Sequence, residues 1–180
     1  MIYVFLANGF EETEGITPVD ILRRSELEVI TVGIGDDVIV SSHGIAVVPD
    51  ITEEQLVLSD DIEMIMLPGG MPGTLNLEKS RAVQEAIDYC AENGKYIAAI
   101  CAAPSILGKK GLLRGKKAVC FPGFEEFLEG AEVSSDLVVH DGKIITAKGP
   151  GAAVEFGLTL SEILAGAPKA KKIRDSLQCK

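Results

Sequence analysis

The residue best suited to chemistry in this sequence is Cys101, which stands between two pairs of alanines after an apolar run. A strand that enters a tight turn before a helix exposes the turn residue above the sheet, as in a nucleophile elbow. Unpaired N–H groups at the start of the next helix favour negative charge, so we expect the pKa of the Cys101 thiol to be lowered. On position alone, a buried structural cysteine fits equally well, because free cysteines pack like small hydrophobes.

The apolar run at residues 63–67 is followed by a glycine-rich turn, whose backbone N–H groups can donate hydrogen bonds. Gly69 and Gly70 lack side chains, which allows their N–H groups to face a ligand. We predict that the N–H groups of Gly70 and Ala102 form an oxyanion hole, with Gly69 as an accessory residue. An ordinary turn also explains the glycines.

Three glutamates, Glu11, Glu12 and Glu14, follow the first apolar run. A carboxyl beside a thiolate has a raised pKa, because burial and the like charge both disfavour its ionised form. Such a carboxyl stays protonated and can move a proton during a reaction. Acidic residues also favour the first turn of a helix, and taken alone that explanation is the stronger.

The other cysteines and both histidines suit structural or surface positions. Cys90 falls within a predicted helix and Cys179 near the end of the chain. Cys120 and His43 are candidate accessory residues, with a structural role favoured for the first and a surface role for the second. His140 precedes a hairpin turn. No CxxC pair occurs, so a zinc site is poorly supported, and we predict neither a metal nor a cofactor.

Apolar runs alternate with amphipathic segments along the chain, and we predict one domain over residues 1–180. Continuous apolar strands alternating with helices indicate an α/β fold, a mostly parallel sheet with helices on both faces. Ligands of such folds bind beyond the carboxyl ends of the strands. Strands are predicted at residues 2–7, 28–32, 63–67, 96–100, 117–120, 137–140 and 143–146, with a short β excursion at 38–41 and 45–48. Helices are predicted at residues 16–25 (with Pro18 near the start), 81–93, 103–107, 152–164 and 169–177.

Composition and charge narrow the classes of function. The formal net charge of −10 disfavours nucleic acid and anionic membranes as partners, since both attract basic surfaces. No apolar stretch reaches the length of a membrane-spanning helix, and the first residues lack the basic start of a signal peptide. We therefore expect a cytoplasmic protein with free thiols.

Four segments of the chain resemble motifs of the ThiJ/PfpI superfamily and occur in the same order. The resemblance is to the branch of the Parkinson-disease-associated protein deglycase and its bacterial relatives. The segments are residues 8–14 (NGFEETE), 67–70 (LPGG), 98–104 (AAICAAP) and 148–151 (KGPG). Each motif alone is common, whereas the combination is specific and the resemblance covers nearly the whole chain. It implies a flavodoxin-like three-layer sandwich and usually a homodimer.

The resemblance also implies roles for individual residues. By position, Cys101 resembles the family nucleophile, Glu14 the protonated glutamate beside it, and Gly70 and Ala102 the backbone donors. The implied activities are a glutathione-independent glyoxalase that converts methylglyoxal to lactate, and a deglycase acting on glycated protein side chains. The alternative is an oxidative-stress sensor or chaperone whose Cys101 becomes a sulfinate. A plain binding module has no support in the sequence.

Three positions depart from relatives. Ala102 stands where the peptidase-like branch has His, which disfavours peptidase or amidase activity. Phe121 stands where the animal deglycase branch has a His near the site, and His43 aligns more loosely with an Arg of that branch. With these departures, Cys101 and Glu14 are the minimal set of catalytic residues that the resemblance implies.

Overall fold

A computed structural model describes residues 1–179. The strands in chain order are β1 (Ile2–Ala7), β2 (Val29–Ile34), β3 (Ile39–Val40), β4 (Ala46–Val47), β5 (Ile51–Thr52), β6 (Met64–Leu67), β7 (Tyr96–Ile100), β8 (Lys117–Ala118), β9 (Glu132–Val133), β10 (Val138–Asp141) and β11 (Ile144–Ala147). The helices are α1 (Glu12–Arg24), α2 (Gly73–Lys79), α3 (Arg81–Glu92), α4 (Pro104–Lys109), α5 (Ala153–Ala165) and α6 (Ala167–Ser176).

The main sheet has seven strands in the order β10-β11-β7-β6-β1-β2-β5. Neighbouring strands pair in parallel throughout, except that the edge strand β10 pairs antiparallel with β11. The predicted mostly parallel sheet is therefore confirmed. The remaining short strands form two pairs, antiparallel β3–β4 and parallel β8–β9.

The central strands are apolar along their whole length because both faces of the sheet are covered. In β1 the even-numbered residues join a buried cluster with residues of α1 and α5. The odd-numbered residues join a second cluster with residues of α3 and α4. Since successive side chains of a strand point to opposite faces, the two clusters form the two sides of a three-layer sandwich. This confirms the flavodoxin-like architecture.

The first helix begins earlier than its apolar spacing predicts. Residues 16–25 carry the helical spacing, yet α1 starts at Glu12, because the side chain of Glu11 accepts a hydrogen bond from the N–H of Glu14 at 2.7 Å and caps the helix. Pro18 consequently lies in the middle of α1 and not near its start. The early start brings Glu14 into the first turn of the helix.

Other details also differ from the predictions, among them the short strands β5 and β9, which are not predicted. The helix α2 is not predicted, and the hairpin turn that joins β10 to β11 is shifted by one residue. Asp141 pairs with Ile144, so the two-residue turn consists of Gly142 and Lys143, and Gly142 has the positive φ that such turns favour. Within residues 1–179, none of the helices is both long and apolar enough to cross a membrane.

Candidate active site

Three adjacent parallel strands bring the candidate residues to one edge of the sheet. In the order β7-β6-β1, the chain continues from the carboxyl ends of these strands into Cys101, Gly69 and the first turn of α1, which carries Glu14. Carboxyl ends of parallel strands meet at the same edge. The sheet therefore assembles one site from segments that lie far apart in the sequence.

Cys101 has φ +65°, in the left-handed region that residues with a Cβ rarely adopt. Strict alternation along β7 would place residue 101 on the face covered by α3 and α4, yet Cys101 packs in the cluster that contains α1 and α5. The positive φ thus turns the thiol toward the face on which Glu14 lies. Hydrogen bonds hold this turn: the N–H of Cys101 donates to the oxygen of Ala147 at 2.9 Å, and the N–H of Phe121 donates to the oxygen of Cys101 at 2.8 Å.

The side chain of Glu14 is fully buried at this edge of the sheet. Its Oε2 accepts a hydrogen bond from the N–H of Gly69 at 2.9 Å. Its Oε1 is also buried and, within residues 1–179, has no hydrogen-bond partner. Burial raises the pKa of the Glu14 carboxyl from 4.5 to about 7; hydrogen bonding to Cys101 opposes this shift and the charge of Glu11 adds to it. A raised pKa is the direction that the sequence predicts.

The Cys101 thiol is only 9% exposed. Burial raises its pKa to about 12, and the charge of Glu14 and its hydrogen bond to the thiol act in the same direction. The backbone N–H groups of Gly70 and Ala102 face the sulfur and lower the pKa, but they do not outweigh burial. The predicted lowering of the thiol pKa is therefore wrong, because a six-residue helix starting at Pro104 cannot offset desolvation and a neighbouring carboxylate.

The two side chains titrate as a pair. With pKa values of about 7 and about 12, the pair holds a single proton over the range between them. Transfer of that proton from the Cys101 sulfur to the Glu14 carboxyl creates a thiolate without changing the net charge of the site. The thiolate then faces the N–H groups of Gly70 and Ala102, which favour negative charge.

The glycines of the turn after β6 are required by close contacts. A Cβ at Gly69 would lie 2.6 Å from the Cβ of Cys101 and 2.6 Å from Oε2 of Glu14. Gly70 has φ +91°, and a Cβ there would collide with the backbone of Glu11. A side chain at Gly69 would therefore push the thiol and the carboxyl apart, and one at Gly70 would displace the backbone that leads into α1.

The candidate accessory side chains His43 and Cys120 lie apart from the pair. His43 is exposed, and its Nδ1 lies 2.7 Å from Oε1 of Glu12. Cys120 is buried in the cluster of the α3 face, opposite the cluster of Cys101, and burial raises its pKa to about 11. Both positions agree with the structural and surface roles favoured from sequence.

One acidic cluster has the composition of a metal site. Ligand atoms of Glu11, Glu12 and His43 lie within 4.8 Å of one another. Glu11 already caps α1 and Glu12 is bound to His43, so contacts within the chain account for the grouping. This cluster does not include Cys101 or Glu14.

The sequence singles out Glu11 and Gly149 but does not predict their positioning roles. Glu11 fixes the start of α1 and so places Glu14, and the available signal is an acidic residue three positions before another glutamate. Gly149 is buried after β11, and a Cβ there would lie 3.0 Å from Cδ2 of Phe121 and 3.9 Å from Oε1 of Glu14. Its bare α-carbon leaves a space between the Phe121 ring and Glu14.

This arrangement is suited to a nucleophilic addition. A sulfur atom, a carboxyl that can accept its proton, and two N–H groups that stabilise a nearby negative charge lie together in a site with little water. Carbonyl carbons are the electrophiles that such groups attack. The catalytic roles of these residues remain predictions.

Comparison with known proteins finds relatives over nearly the whole chain. The family model "DJ-1/PfpI family" matches residues 1–163. Protein dj-1beta of Drosophila melanogaster is 37% identical over 177 residues, covering 97% of this chain and 94% of that protein. Glutathione-independent glyoxalase DJR-1.2 of Caenorhabditis elegans is 31% identical over 164 residues, covering 91% of this chain and 87% of that protein.

Solved structures agree in fold. The crystal structure of Drosophila DJ-1beta superposes with a TM-score of 0.92, at 34% identity, over 99% of this chain and 97% of that one. An oxidized form of Toxoplasma gondii DJ-1 superposes with a TM-score of 0.93, at 35% identity, over 98% of this chain and 97% of that one. From the family match and these full-length similarities, the chain belongs to the DJ-1/PfpI family.

Proposed function

We propose that this protein is a glutathione-independent glyoxalase that uses Cys101 to convert methylglyoxal-like α-oxoaldehydes to 2-hydroxy acids. The observation that carries the proposal is the buried pair of Cys101 and Glu14 with the backbone N–H groups of Gly70 and Ala102 facing the sulfur. A relative that covers most of this chain is named as a glutathione-independent glyoxalase.

The first step forms a carbon–sulfur bond. Glu14 takes the proton of the Cys101 thiol, and the sulfur adds to the aldehyde carbon of methylglyoxal. The former carbonyl oxygen becomes an oxyanion, which the N–H groups of Gly70 and Ala102 stabilise. Glu14 then gives its proton to this oxygen, which completes a hemithioacetal and restores the carboxylate.

The second step is a proton shift between adjacent carbons. The Glu14 carboxylate removes the proton from the former aldehyde carbon, which gives an enediolate, and returns it to the neighbouring carbon. The hydroxyl proton moves to the neighbouring oxygen, so the product is a thioester of Cys101. Water hydrolyses the thioester, releasing lactate and the free thiol. Over the cycle, one water is consumed per methylglyoxal.

The direct test measures methylglyoxal consumption and lactate formation without glutathione. Wild type is expected to form lactate, and Cys101→Ser is expected to form none, because an alcohol is far harder to deprotonate than a thiol. Cys179→Ser is the matched control, since this thiol near the chain end lies in neither core cluster and should be dispensable. Lactate at the wild-type rate from a folded Cys101→Ser variant would overturn the proposal.

Deglycation is a second use of the same thiol. Cys101 would attack aldehyde adducts on protein side chains, with Glu14 again moving the proton. Glycated peptide freed of excess aldehyde, and kept with a trap for released methylglyoxal, tests this activity. Deglycation is supported if wild type removes the adduct at the same rate with and without the trap, and Cys101→Ser does not remove it. If the trap abolishes adduct removal, the effect is due to glyoxalase turnover of the released methylglyoxal.

Oxidation sensing is the alternative that one observation favours. Within residues 1–179, Oε1 of Glu14 is buried without a hydrogen-bond partner, and a protonated Glu14 would donate a hydrogen bond from this oxygen to an oxidised Cys101. One peroxide converts the thiol to a sulfenic acid and water, and a second gives the sulfinic acid and another water. Intact-mass analysis after mild peroxide should show two added oxygens on Cys101 before Cys179 reacts. Earlier oxidation of Cys179 would reject this function.

A homodimer and a cytoplasmic location complete the proposal. Both rest on family resemblance and on sequence composition. Light scattering coupled to gel filtration tests the first, and fractionation of cells tests the second. A monomer at micromolar concentration would remove the dimer from the proposal without affecting the chemistry of Cys101.

A further inference from the structure

An apolar cleft of about 310 Å³ opens at the turn that follows β11, and it is lined by Gly149, the residue next to the Glu14 carboxyl. Its walls include the apolar side chains of Phe121, Pro122, Leu137 and Pro150, and Lys148 lies among them. Sites for small organic ligands occupy about 300–1,000 Å³, so this cleft suits a small molecule at the lower end of the range.

Gly149 lies between the cleft and the Glu14 carboxyl. A Cβ at Gly149 would lie 3.0 Å from Cδ2 of Phe121 and 3.9 Å from Oε1 of Glu14. The same small space is therefore bounded on one side by the cleft wall and on the other by the proton-transferring carboxyl. Oε1 is buried and, in the described part of the chain, has no hydrogen-bond partner.

Phe121 is also tied to the nucleophile itself. Its N–H donates to the carbonyl oxygen of Cys101 at 2.8 Å, so the backbone fixes Phe121 relative to the sulfur. Its ring is nevertheless 42% exposed. A large aromatic side chain held at a reactive thiol and left open to solvent offers a surface for an apolar part of a substrate.

The size of the apolar wall exceeds what methylglyoxal requires. A single methyl group covers only a small part of Phe121 and Leu137, of which the second is 55% exposed. An aromatic or branched substituent would remove much more of this surface from water. Burial of apolar surface is favourable by about 25 cal/mol per Å², so the larger substituent gains the greater binding free energy.

We propose that this cleft is the subsite for the substituent of the α-oxoaldehyde, and that it selects aromatic or bulky apolar substituents over methyl. The inference rests on the proposed glyoxalase function. The dicarbonyl lies between the sulfur of Cys101 and Oε1 of Glu14, and the substituent extends past Gly149 onto Phe121 and Leu137. Phenylglyoxal is the simplest member of the class; its isomerisation and hydration give mandelate.

The experiment compares kcat/KM for phenylglyoxal, followed by mandelate formation, with kcat/KM for methylglyoxal, followed by lactate formation. Wild type is expected to prefer phenylglyoxal by about tenfold or more, the scale of discrimination that a few methylene-sized contacts supply. Phe121→Ala and Leu137→Asp should each lower this preference by about tenfold. Val57→Asp is the matched control, because Val57 is also an exposed apolar residue but does not line the cleft.

Each outcome has a separate meaning. Loss of the preference in both cleft variants, with the preference intact in Val57→Asp, supports the subsite. Lactate formation by wild type without a preference for phenylglyoxal overturns the subsite and leaves the glyoxalase function standing. A preference that survives both cleft substitutions also overturns it. If wild type forms neither lactate nor mandelate, the proposed function itself fails.

Discussion

Glu14→Gln is expected to raise the stability of the folded protein at neutral and mildly alkaline pH. Burial raises the pKa of Glu14 from 4.5 to about 7, so between these values the folded protein binds a proton that the unfolded chain releases. The free energy of unfolding is then greatest below pH about 4.5 and falls as pH rises to about 7. At about 1.4 kcal/mol for each tenfold change in proton affinity, the total loss is about 3 kcal/mol.

Glutamine reproduces the protonated form of Glu14 and cannot ionise. Its amide oxygen keeps the hydrogen bond from the N–H of Gly69, and its amide nitrogen takes the place of the other carboxyl oxygen, Oε1. The variant should therefore retain at pH 8 the stability that wild type has lost, an advantage of about 3 kcal/mol. The two proteins should converge near pH 4.5.

Urea denaturation followed by circular dichroism at pH 5, 6, 7 and 8 measures this difference. Reducing agent, ionic strength and protein concentration are held constant, and pH 8 is the upper limit because free thiols ionise above it. Glu85→Gln is the matched control: Glu85 is exposed and paired with Arg81 on α3, so its change should not produce the same slope. Wild-type and Glu14→Gln curves that run parallel from pH 5 to pH 8 would refute the reasoning.

Three further predictions follow from the same geometry. Gly69→Ala should destabilise the protein by about 1–3 kcal/mol and reduce lactate formation, because its Cβ would push Cys101 away from Glu14. Gly151→Ala, which meets open space, should leave the denaturation midpoint unchanged. The kcat/KM for methylglyoxal should rise with pH through about 7, as Glu14 becomes able to accept a proton, and a pH profile of wild type that is flat from 6 to 8 would contradict this. Cys101→Gly should be more stable than Cys101→Ala by about 1 kcal/mol in urea denaturation, because only glycine adopts φ +65° without strain, and equal midpoints would argue against strain at this turn.

The elements with the clearest sequence signal are those whose stability depends on burial along their whole length. β1 and β7 have the bounds that their apolar runs predict, because strands covered on both faces leave no position for a polar residue. The helix α2 lacks such a signal. It is short and follows a glycine- and proline-rich turn, and its position depends on tertiary contacts such as the burial of Leu77 and the hydrogen bond from the N–H of Gly73 to Gly9 at 3.2 Å.

The composition of the site was easier to predict than its electrostatics. Parallel topology alone places the residues that follow β1, β6 and β7 at one edge, so the meeting of Glu14, Gly69 and Cys101 can be anticipated. The direction of the thiol pKa depends on the exposed area of one sulfur atom and on its distance from one carboxyl. Those quantities arise from packing, and no motif encodes them.

At Cys101, the backbone conformation that stabilises the fold conflicts with the side chain that the proposed reaction requires. The reacting atom must sit on a side chain, whereas the backbone conformation there is one that a side chain disfavours. Selection of a mutant library for heat resistance alone should therefore enrich glycine at position 101. The protein would gain thermal tolerance by discarding its nucleophile, and a screen that ignores turnover would score that loss as an improvement.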